Sequence, residues 1–140
     1  MIALAADHGG FGIKEAIKRY FEENAIEYID LGIYSEESVD YPVYAKKLCE
    51  RILDGSARLG ILCCGTGIGM SITANKIRGI RAAALSDSFS CEFTRRHNDA
   101  NVLCLGGRVV SEEKAVELAK IFITTPFDGG RHINRIAMFE

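Results

Sequence analysis

A short apolar run that leads directly into a glycine-rich turn constrains this chain most. Residues 59–62 are typical of a buried strand, residues 63–70 read CCGTGIGM, and residues 71–76 can continue as a helix. Glycines let backbone N–H groups approach a ligand, and the start of a helix adds partial positive charge, so the turn predicts an anion site. A thiol beside such a site can act as a base or a nucleophile near neutral pH, which makes Cys64 the first candidate for chemistry.

The two adjacent cysteines should face opposite sides of the strand, because side chains alternate along it. The alternative is that Cys63 and Cys64 are both merely buried apolar residues. The turn at 65–69 has the spacing G-x-G-x-G, not the G-x-G-x-x-G of a dinucleotide site, and it lacks the Lys-Ser/Thr pair of a P-loop. We therefore expect an oxyanion hole and no cofactor.

Apolar runs alternate with amphipathic segments along the whole chain. The pattern predicts strands at 2–6, 26–31, 59–63, 79–85 and 102–105, and helices at 11–24, 41–53, 71–76, 87–96 and 111–125, with a last segment at 131–139. Such alternation indicates an α/β fold. We expect one domain over 1–140, a Rossmann-like doubly wound sheet of about five parallel strands with helices on both faces and a C-terminal helix.

Charge and cysteine usage narrow the possible partners. The net charge is −2, which argues against a nucleic-acid or anionic-membrane surface, and the sequence has no apolar span long enough for a membrane. No signal-peptide pattern stands at residues 1–4, so the cytoplasm is the default expectation. The five cysteines are an odd number without C-x-x-C, and the three histidines do not pair with them at zinc spacing. We expect reduced thiols and no metal.

The order of elements divides the remaining polar residues between two edges of the sheet. In doubly wound folds ligands bind at the carboxyl ends of the strands. The segments Asp7-His8, 64–69 and 106–108 all follow strands and should share that edge. His97 and Asn98 follow a helix and precede a strand, which places them at the opposite edge of their own subunit. If His97 and Asn98 serve the same site, they come from another copy of the chain. Two simpler roles stay open: Asp7 only forms a turn, and His97 and Asn98 only end a helix.

Three arginines could hold an anion. Arg131 and Arg135 are four residues apart and share a face if the segment is helical, and Arg108 is a third candidate. Guanidinium groups suit the bidentate recognition of a phosphate, although solvated surface arginines are the commoner case. A thiolate base, an anion site, imidazoles and a phosphate clamp together favour proton transfer on a phosphorylated small molecule through an enediolate.

Several long motifs resemble one known family, the type B ribose-5-phosphate isomerases, which also contains allose- and galactose-6-phosphate isomerases. The resemblance covers nearly the whole chain in order. It is carried by DHGGF at 7–11, SVDYP at 38–42, CGTGIGMS at 64–71, ANKIRGIRA at 74–82, RHNDAN at 96–101 and DGGRH at 128–132.

The resemblance implies a homodimer, or a dimer of dimers, whose active site is shared between subunits and interconverts ribose 5-phosphate and ribulose 5-phosphate without metal. It also implies the following roles: Cys64 as the base; Thr66 as a further catalytic residue that lines the pocket with Tyr41; Gly65, Gly67, Ile68 and Gly69 around the enediolate; His97 as the acid for ring opening; Asn98, Asp7, His8 and Tyr41 on the sugar; and Arg108, Arg131 and Arg135 on the phosphate.

One departure from the family bears on the base. Another branch has a glutamate directly after the last glycine of the loop, where this chain has Met70, which cannot take a proton. The base must then be Cys64. Two other readings stay open: a six-carbon sugar-phosphate isomerase, and a non-catalytic sugar-phosphate binding module.

Overall fold

The computed structural model describes residues 1–140 and contains one five-stranded, fully parallel sheet. The strands run in the spatial order β2-β1-β3-β5-β4. Their bounds are Ile2–Ala6 (β1), Tyr28–Asp30 (β2), Leu59–Cys64 (β3), Ala82–Ala84 (β4) and Val102–Gly106 (β5). The predicted parallel sheet and the α/β fold class are therefore confirmed.

Six helices complete the fold. They are Phe11–Glu23 (α1), Tyr41–Leu53 (α2), Ile68–Asn75 (α3), Ser88–Asn98 (α4), Glu112–Thr124 (α5) and Arg131–Ala137 (α6). α1 and α5 pack on each other over one face of the sheet, α2 and α3 pack on each other over the other face, and α4 packs against α5. None of the helices combines the length and the apolar character that crossing a membrane requires.

The three central strands are buried along their full length, which is why their sequences are nearly continuous apolar runs. Each sheet face has its own core. Cys63 packs in the core under α1 and α5, and Cys64 packs in the core under α2 and α3. The predicted opposite orientation of the two cysteines is confirmed.

Some element bounds differ from the sequence-based prediction, and hydrogen bonds explain why. The second strand was expected from residue 26, but the Ile26 amide donates to the Phe21 carbonyl and so closes α1. The fourth strand was expected from residue 79. The Arg81 amide donates to Asn101 Oδ1 at 2.7 Å, so at this residue a side-chain acceptor takes the place of the backbone of a neighbouring strand. α4 was expected to end near residue 96 and runs to Asn98, where Asp99 ends it with a φ of 47°.

A buried lysine joins α1 to the segment after β2. The Lys14 side chain is fully buried, and its ammonium group donates to Asp30 Oδ1 at 2.7 Å and to the Ile33 carbonyl at 2.8 Å. Lys18 contacts the other Asp30 oxygen at 2.9 Å. Burial alone would raise the pKa of the Asp30 carboxyl, but hydrogen bonds from Lys14 and Lys18 outweigh it and hold that pKa below its usual range.

We expect Lys14→Met to lower the free energy of unfolding by about 2–4 kcal/mol, because it leaves a half-buried carboxylate and a buried carbonyl without their shared donor. Urea unfolding at neutral pH measures this. The stabilisation from Asp30 is complete above its unfolded pKa of about 3.9 and is lost as the pH falls through its lower folded pKa, so the variant and the wild type should converge in acid. Lys46→Met, at an exposed position of α2, is the control and should change stability by less than about 0.5 kcal/mol.

Candidate active site

The carboxyl ends of β1 and β3 form the crevice at which this sheet changes direction. β1 pairs with β2 on one side and with β3 on the other. The connections that follow β1 and β3 therefore lead toward opposite edges of the sheet, and doubly wound folds bind ligands at such a point. Asp7 follows β1, is buried, and accepts from the amides of Gly9 at 2.9 Å and Gly10 at 3.2 Å. Asp7 therefore has the turn-forming role that the sequence also allowed, and it lies at the predicted carboxyl edge of the sheet.

Cys64 is the last residue of β3 and lies beneath the glycine-rich turn. The Gly67 amide donates to Cys64 Sγ at 3.1 Å, so the turn folds back over the sulfur. Gly67 has a φ of 82°, a left-handed conformation that favours glycine, and α3 begins directly after it. The Thr66 hydroxyl accepts from the Ile68 amide at 3.3 Å. A thiolate here receives a hydrogen bond and faces the partially positive start of a helix.

The neighbouring thiol has a different environment. Cys63 is completely buried among apolar side chains, and that burial, followed by the proximity of Cys64, raises the pKa of its thiol far above the usual value. Its backbone also packs tightly, because a Cβ added to Gly10 would lie 2.2 Å from the Cys63 carbonyl carbon. Of the two adjacent cysteines, only Cys64 is therefore placed to exchange a proton with a ligand.

Arg108 and His8 lie at the same edge of the sheet as Cys64. The Gly107 amide donates to the Cys64 carbonyl at 2.8 Å, and the Arg108 amide donates to the Gly65 carbonyl at 3.0 Å. The Arg108 guanidinium reaches within 3.4 Å of the position that a Cβ on Gly65 would occupy. His8 is exposed, and its Nδ1 accepts from the Val39 amide at 3.3 Å, which ties the first turn to the segment before α2.

Tyr41 packs on the glycine-rich turn from the start of α2. A Cβ added to Gly69 would lie 2.7 Å from two ring carbons of Tyr41, so a glycine is required for this contact. Tyr41 is partly exposed, at 38%, so its ring covers the start of α3 from the solvent side.

We expect Gly69→Ala to lower kcat/KM for the sugar-phosphate isomerisation that the family resemblance implies by roughly tenfold, because the new methyl group displaces the Tyr41 ring from the crevice. Stability should change little, since alanine gains about 0.5–1 kcal/mol in a helix while the steric clash costs a similar amount. Steady-state kinetics and urea unfolding of the same variant separate the two effects.

Gly12→Ala is the matched control for that variant. Gly12 is also the second residue of its helix, is exposed, and a Cβ there would contact only Glu112 Oε1, at 3.9 Å. It should gain stability and keep full activity. Equal losses of activity in the two variants would show that the Tyr41 contact has no role.

A second group of predicted site residues lies on α4 and α6. His97 and Asn98 are the last residues of α4, which places them just before β5 at the amino edge of the sheet, as the sequence predicts. Arg131 and Arg135 are exposed on α6, four residues apart on a helix that packs against α4. Arg131 and Arg135 therefore lie on the helix beside His97, whereas Arg108 lies beside the turn that follows Cys64.

Two residues that sequence reasoning did not select complete this second group. The His132 ring stacks on the His97 ring with centroids 4.2 Å apart and an interplanar angle of 13°. The Asp128 carboxylate lies 3.8 Å from His97 Nε2 and 3.2 Å from Arg96 Nε. Asp128 and His132 both belong to the DGGRH motif at 128–132, which was the sequence signal that could have identified them. Burial, followed by the nearby charges of His97, Arg131 and Arg135, lowers the pKa of His132.

A buried arginine fixes the end of α4 that carries His97 and Asn98. Arg95 is 8% exposed, donates to the Ala100 carbonyl at 2.6 Å and to Asp99 Oδ1 at 2.9 Å, and lies over the Phe122 ring. Phe93 contacts the His97 ring edge-on, with centroids 4.9 Å apart. The imidazole is thus held between Phe93 and His132.

The candidate residues therefore form two half-sites within one chain. The thiol half-site contains Asp7, His8, Tyr41, residues 64–69 and Arg108. The imidazole half-site contains His97, Asn98, Arg131 and Arg135, together with Asp128 and His132. No hydrogen bond or ion pair joins the two groups.

Comparison with known proteins gives the family to which the chain is similar. The family model described as Ribose/Galactose Isomerase matches residues 2–139. A putative sugar phosphate isomerase, YwlF, of Bacillus subtilis is 52% identical over 136 residues, covering 96% of this chain and 91% of that protein. Ribose-5-phosphate isomerase B of Escherichia coli is 43% identical over 135 residues, covering 96% of this chain and 91% of its own length.

Similarity to a solved structure extends over the whole fold. The crystal structure of a ribose 5-phosphate isomerase from Thermotoga maritima superimposes with a TM-score of 0.96 at 51% identity, covering 99% of this chain and 95% of the other. The five-stranded sheet and the helices packed on it therefore have counterparts in that structure.

Proposed function

The chain belongs to the ribose/galactose isomerase family, and on that premise we propose that it interconverts ribose 5-phosphate and ribulose 5-phosphate with Cys64 as the base and without a cofactor. The observation that carries the proposal is the hydrogen bond from the Gly67 amide to Cys64 Sγ, in a turn that begins α3. It places a thiol next to backbone donors suited to an oxyanion, the two requirements for moving a proton beside a carbonyl.

In the proposed reaction the Cys64 thiolate removes the proton from C2 of the open-chain aldose and returns it to C1, while the hydroxyl proton of O2 passes to O1, so that the aldehyde becomes an alcohol and C2 becomes the ketone. The negative charge that develops on the carbonyl oxygen is stabilised by amides of the turn. Gly69 and Met70 lie in the first turn of α3, where N–H groups have no partner within the helix. Met70 is fully buried and aliphatic at the position of the alternative glutamate base, so no second base competes.

We further propose that the working enzyme is a homodimer in which the thiol half-site of one copy meets the imidazole half-site of the other. The separation of Cys64 from His97 within one chain supports this. So does the concentration of exposed apolar side chains near both groups, among them Ile68 and Ile72 on α3 and Phe89 on α4. His97 then acts as the acid that opens the sugar ring, and Arg131 and Arg135 hold the phosphate together with Arg108.

The cysteines support a cytoplasmic location for the enzyme. All five thiols are free and buried, and none is bridged. A reducing compartment keeps such thiols, including the proposed base, in the form that the reaction requires.

Two measurements on the purified chain test the proposed function. Incubation with ribose 5-phosphate in deuterated water should give ribulose 5-phosphate and incorporate deuterium from solvent, because the enediolate exchanges its proton through Cys64. A binding module without chemistry would incorporate none, and that result would refute the proposal. A parallel assay with allose 6-phosphate decides the chain length, since a six-carbon isomerase would have the higher kcat/KM for that sugar.

A further inference from the structure

The imidazole half-site carries a set of possible metal ligands, of which the proposed isomerisation uses only His97. His97, Asp128 and His132 each offer one donor atom, and these three atoms lie within 4.8 Å of one another. The three residues come from the end of α4, the segment before α6, and α6 itself. His97 lies 31 residues before Asp128, and only Asp128 and His132 are close in sequence, so neither ligand spacing nor the cysteine count indicated the set.

We propose that His97, Asp128 and His132 bind a zinc-class divalent cation, Zn²⁺ or Co²⁺, and that this cation inhibits the enzyme reversibly. Two imidazoles and one carboxylate are the donor types that zinc takes when three protein groups and a water complete its coordination. Mg²⁺ and Ca²⁺ prefer sets of oxygen ligands, so a site with one carboxylate discriminates against them.

The site can close by side-chain rotation without a change of fold. The His97 and His132 rings are stacked at an interplanar angle of 13°, so their in-plane lone pairs converge on one ion only when one ring leaves the stack. In a tetrahedral site with bonds of about 2.0–2.1 Å, donor atoms lie about 3.3 Å apart, closer than the 4.8 Å limit found here. The exposed Asp128 side chain must rotate, and the His97 ring must give up its stacking on His132 while keeping its edge contact with Phe93. The backbone is already tied, because the Asp128 amide donates to the Arg96 carbonyl at 2.9 Å.

Arg96 supplies the outer contact that metal-binding carboxylates usually have. Its Nε lies 3.2 Å from both oxygens of Asp128. One oxygen can therefore turn to the cation while the other keeps its hydrogen bond to Arg96. Arg96 also limits affinity, because its charge and those of Arg131 and Arg135 oppose a dication, so reversible binding is expected.

The expected inhibition depends on which ring nitrogen of His97 binds the cation. The Nε2 atom of His97 faces Asp128, and a cation bound there occupies the lone pair through which this imidazole exchanges a proton. The inhibition rests on the proposed role of His97, whereas the binding does not.

Isothermal titration of the full chain with Zn²⁺ tests the binding directly. We expect one zinc per chain and visible ligand-field bands when Co²⁺ is bound. His132→Gln should weaken zinc binding by roughly 10- to 100-fold. Asp128→Asn, at an exposed position where folding is not at risk, should weaken it by roughly tenfold.

Two control variants distinguish this site from other zinc ligands. His8→Gln changes the one histidine outside the cluster, and Cys64→Ala removes the thiol at the end of β3; both should keep the affinity. Unchanged affinity in His132→Gln and Asp128→Asn, or loss of binding only in Cys64→Ala, would overturn the proposal.

Activity assays give the second readout. Micromolar Zn²⁺ should inhibit ribose 5-phosphate turnover, a chelator should restore it, and Mg²⁺ should have no effect. If the chain binds zinc at these residues but shows no isomerase activity at all, the proposed function fails and the metal site stands. If the chain is active and zinc binds without inhibiting, the inhibitory role is refuted.

Discussion

Cys64→Ala should lower kcat for ribose 5-phosphate by roughly 10²- to 10⁴-fold, the loss expected when a general base is removed. The fold should survive, because Cys64 lies at the end of β3 and its sulfur has one hydrogen bond, from Gly67. Steady-state kinetics, circular dichroism and urea unfolding measure the three quantities. Deuterium incorporation into the substrate should disappear together with turnover.

Cys63→Ala is the matched control for this experiment. It removes the same atom from the neighbouring residue, but on the opposite face of the sheet, inside the core under α1 and α5. A small cavity should cost about 1–2 kcal/mol of stability, while kcat stays near that of the wild type. If Cys64→Ala retained near-normal turnover, or if both variants lost it equally, Cys64 would not be the base.

Cys64→Ser separates acidity from size. A serine keeps the shape and can still accept from the Gly67 amide, but its hydroxyl is far less acidic than a thiol and supplies almost no base at neutral pH. Its kcat should therefore resemble that of Cys64→Ala. Substantial activity in the serine variant would mean that the side chain only positions the substrate.

The fold could be predicted because its strongest signals are local. The central strands are continuous apolar runs, and Ser111 and Asp87 cap α5 and α4 as their side chains suggest, accepting from the Lys114 and Ser90 amides. Signals that depend on distant partners were missed. Lys14 is fully buried because Asp30 and the Ile33 carbonyl reach it from another element, and a lysine on a helix gives no sign of such partners.

The same distinction applies to the site. The strand-to-helix order placed Cys64 at the carboxyl edge and His97 at the amino edge, and both placements are confirmed. The grouping of Arg108 with Arg131 and Arg135 cannot be judged from order alone, since it depends on where α6 packs. His132 was missed because its stacking on His97 arises only when α6 docks on α4. The residue roles themselves stay predictions.

Mixing two inactive variants should restore activity if the half-sites of two copies combine. Cys64→Ala and His97→Asn each destroy one half-site and should each be almost inactive. After the two are mixed and allowed to exchange subunits, half of the dimers contain one copy of each. In such a dimer one site has both defects and the other has neither, so roughly a quarter of all sites should be fully active.

The expected result is thus a rise from near zero to roughly one quarter of the wild-type rate, a restoration that no single-chain site can produce. The Cys64→Ala, His97→Asn double variant mixed with wild type is the control, because its mixed dimers contain two sites with one defect each and gain nothing. The rise should also follow the kinetics of subunit exchange. If both half-sites acted within one chain, mixing would leave the activity at the sum of the two variants, since each chain would keep its own defect.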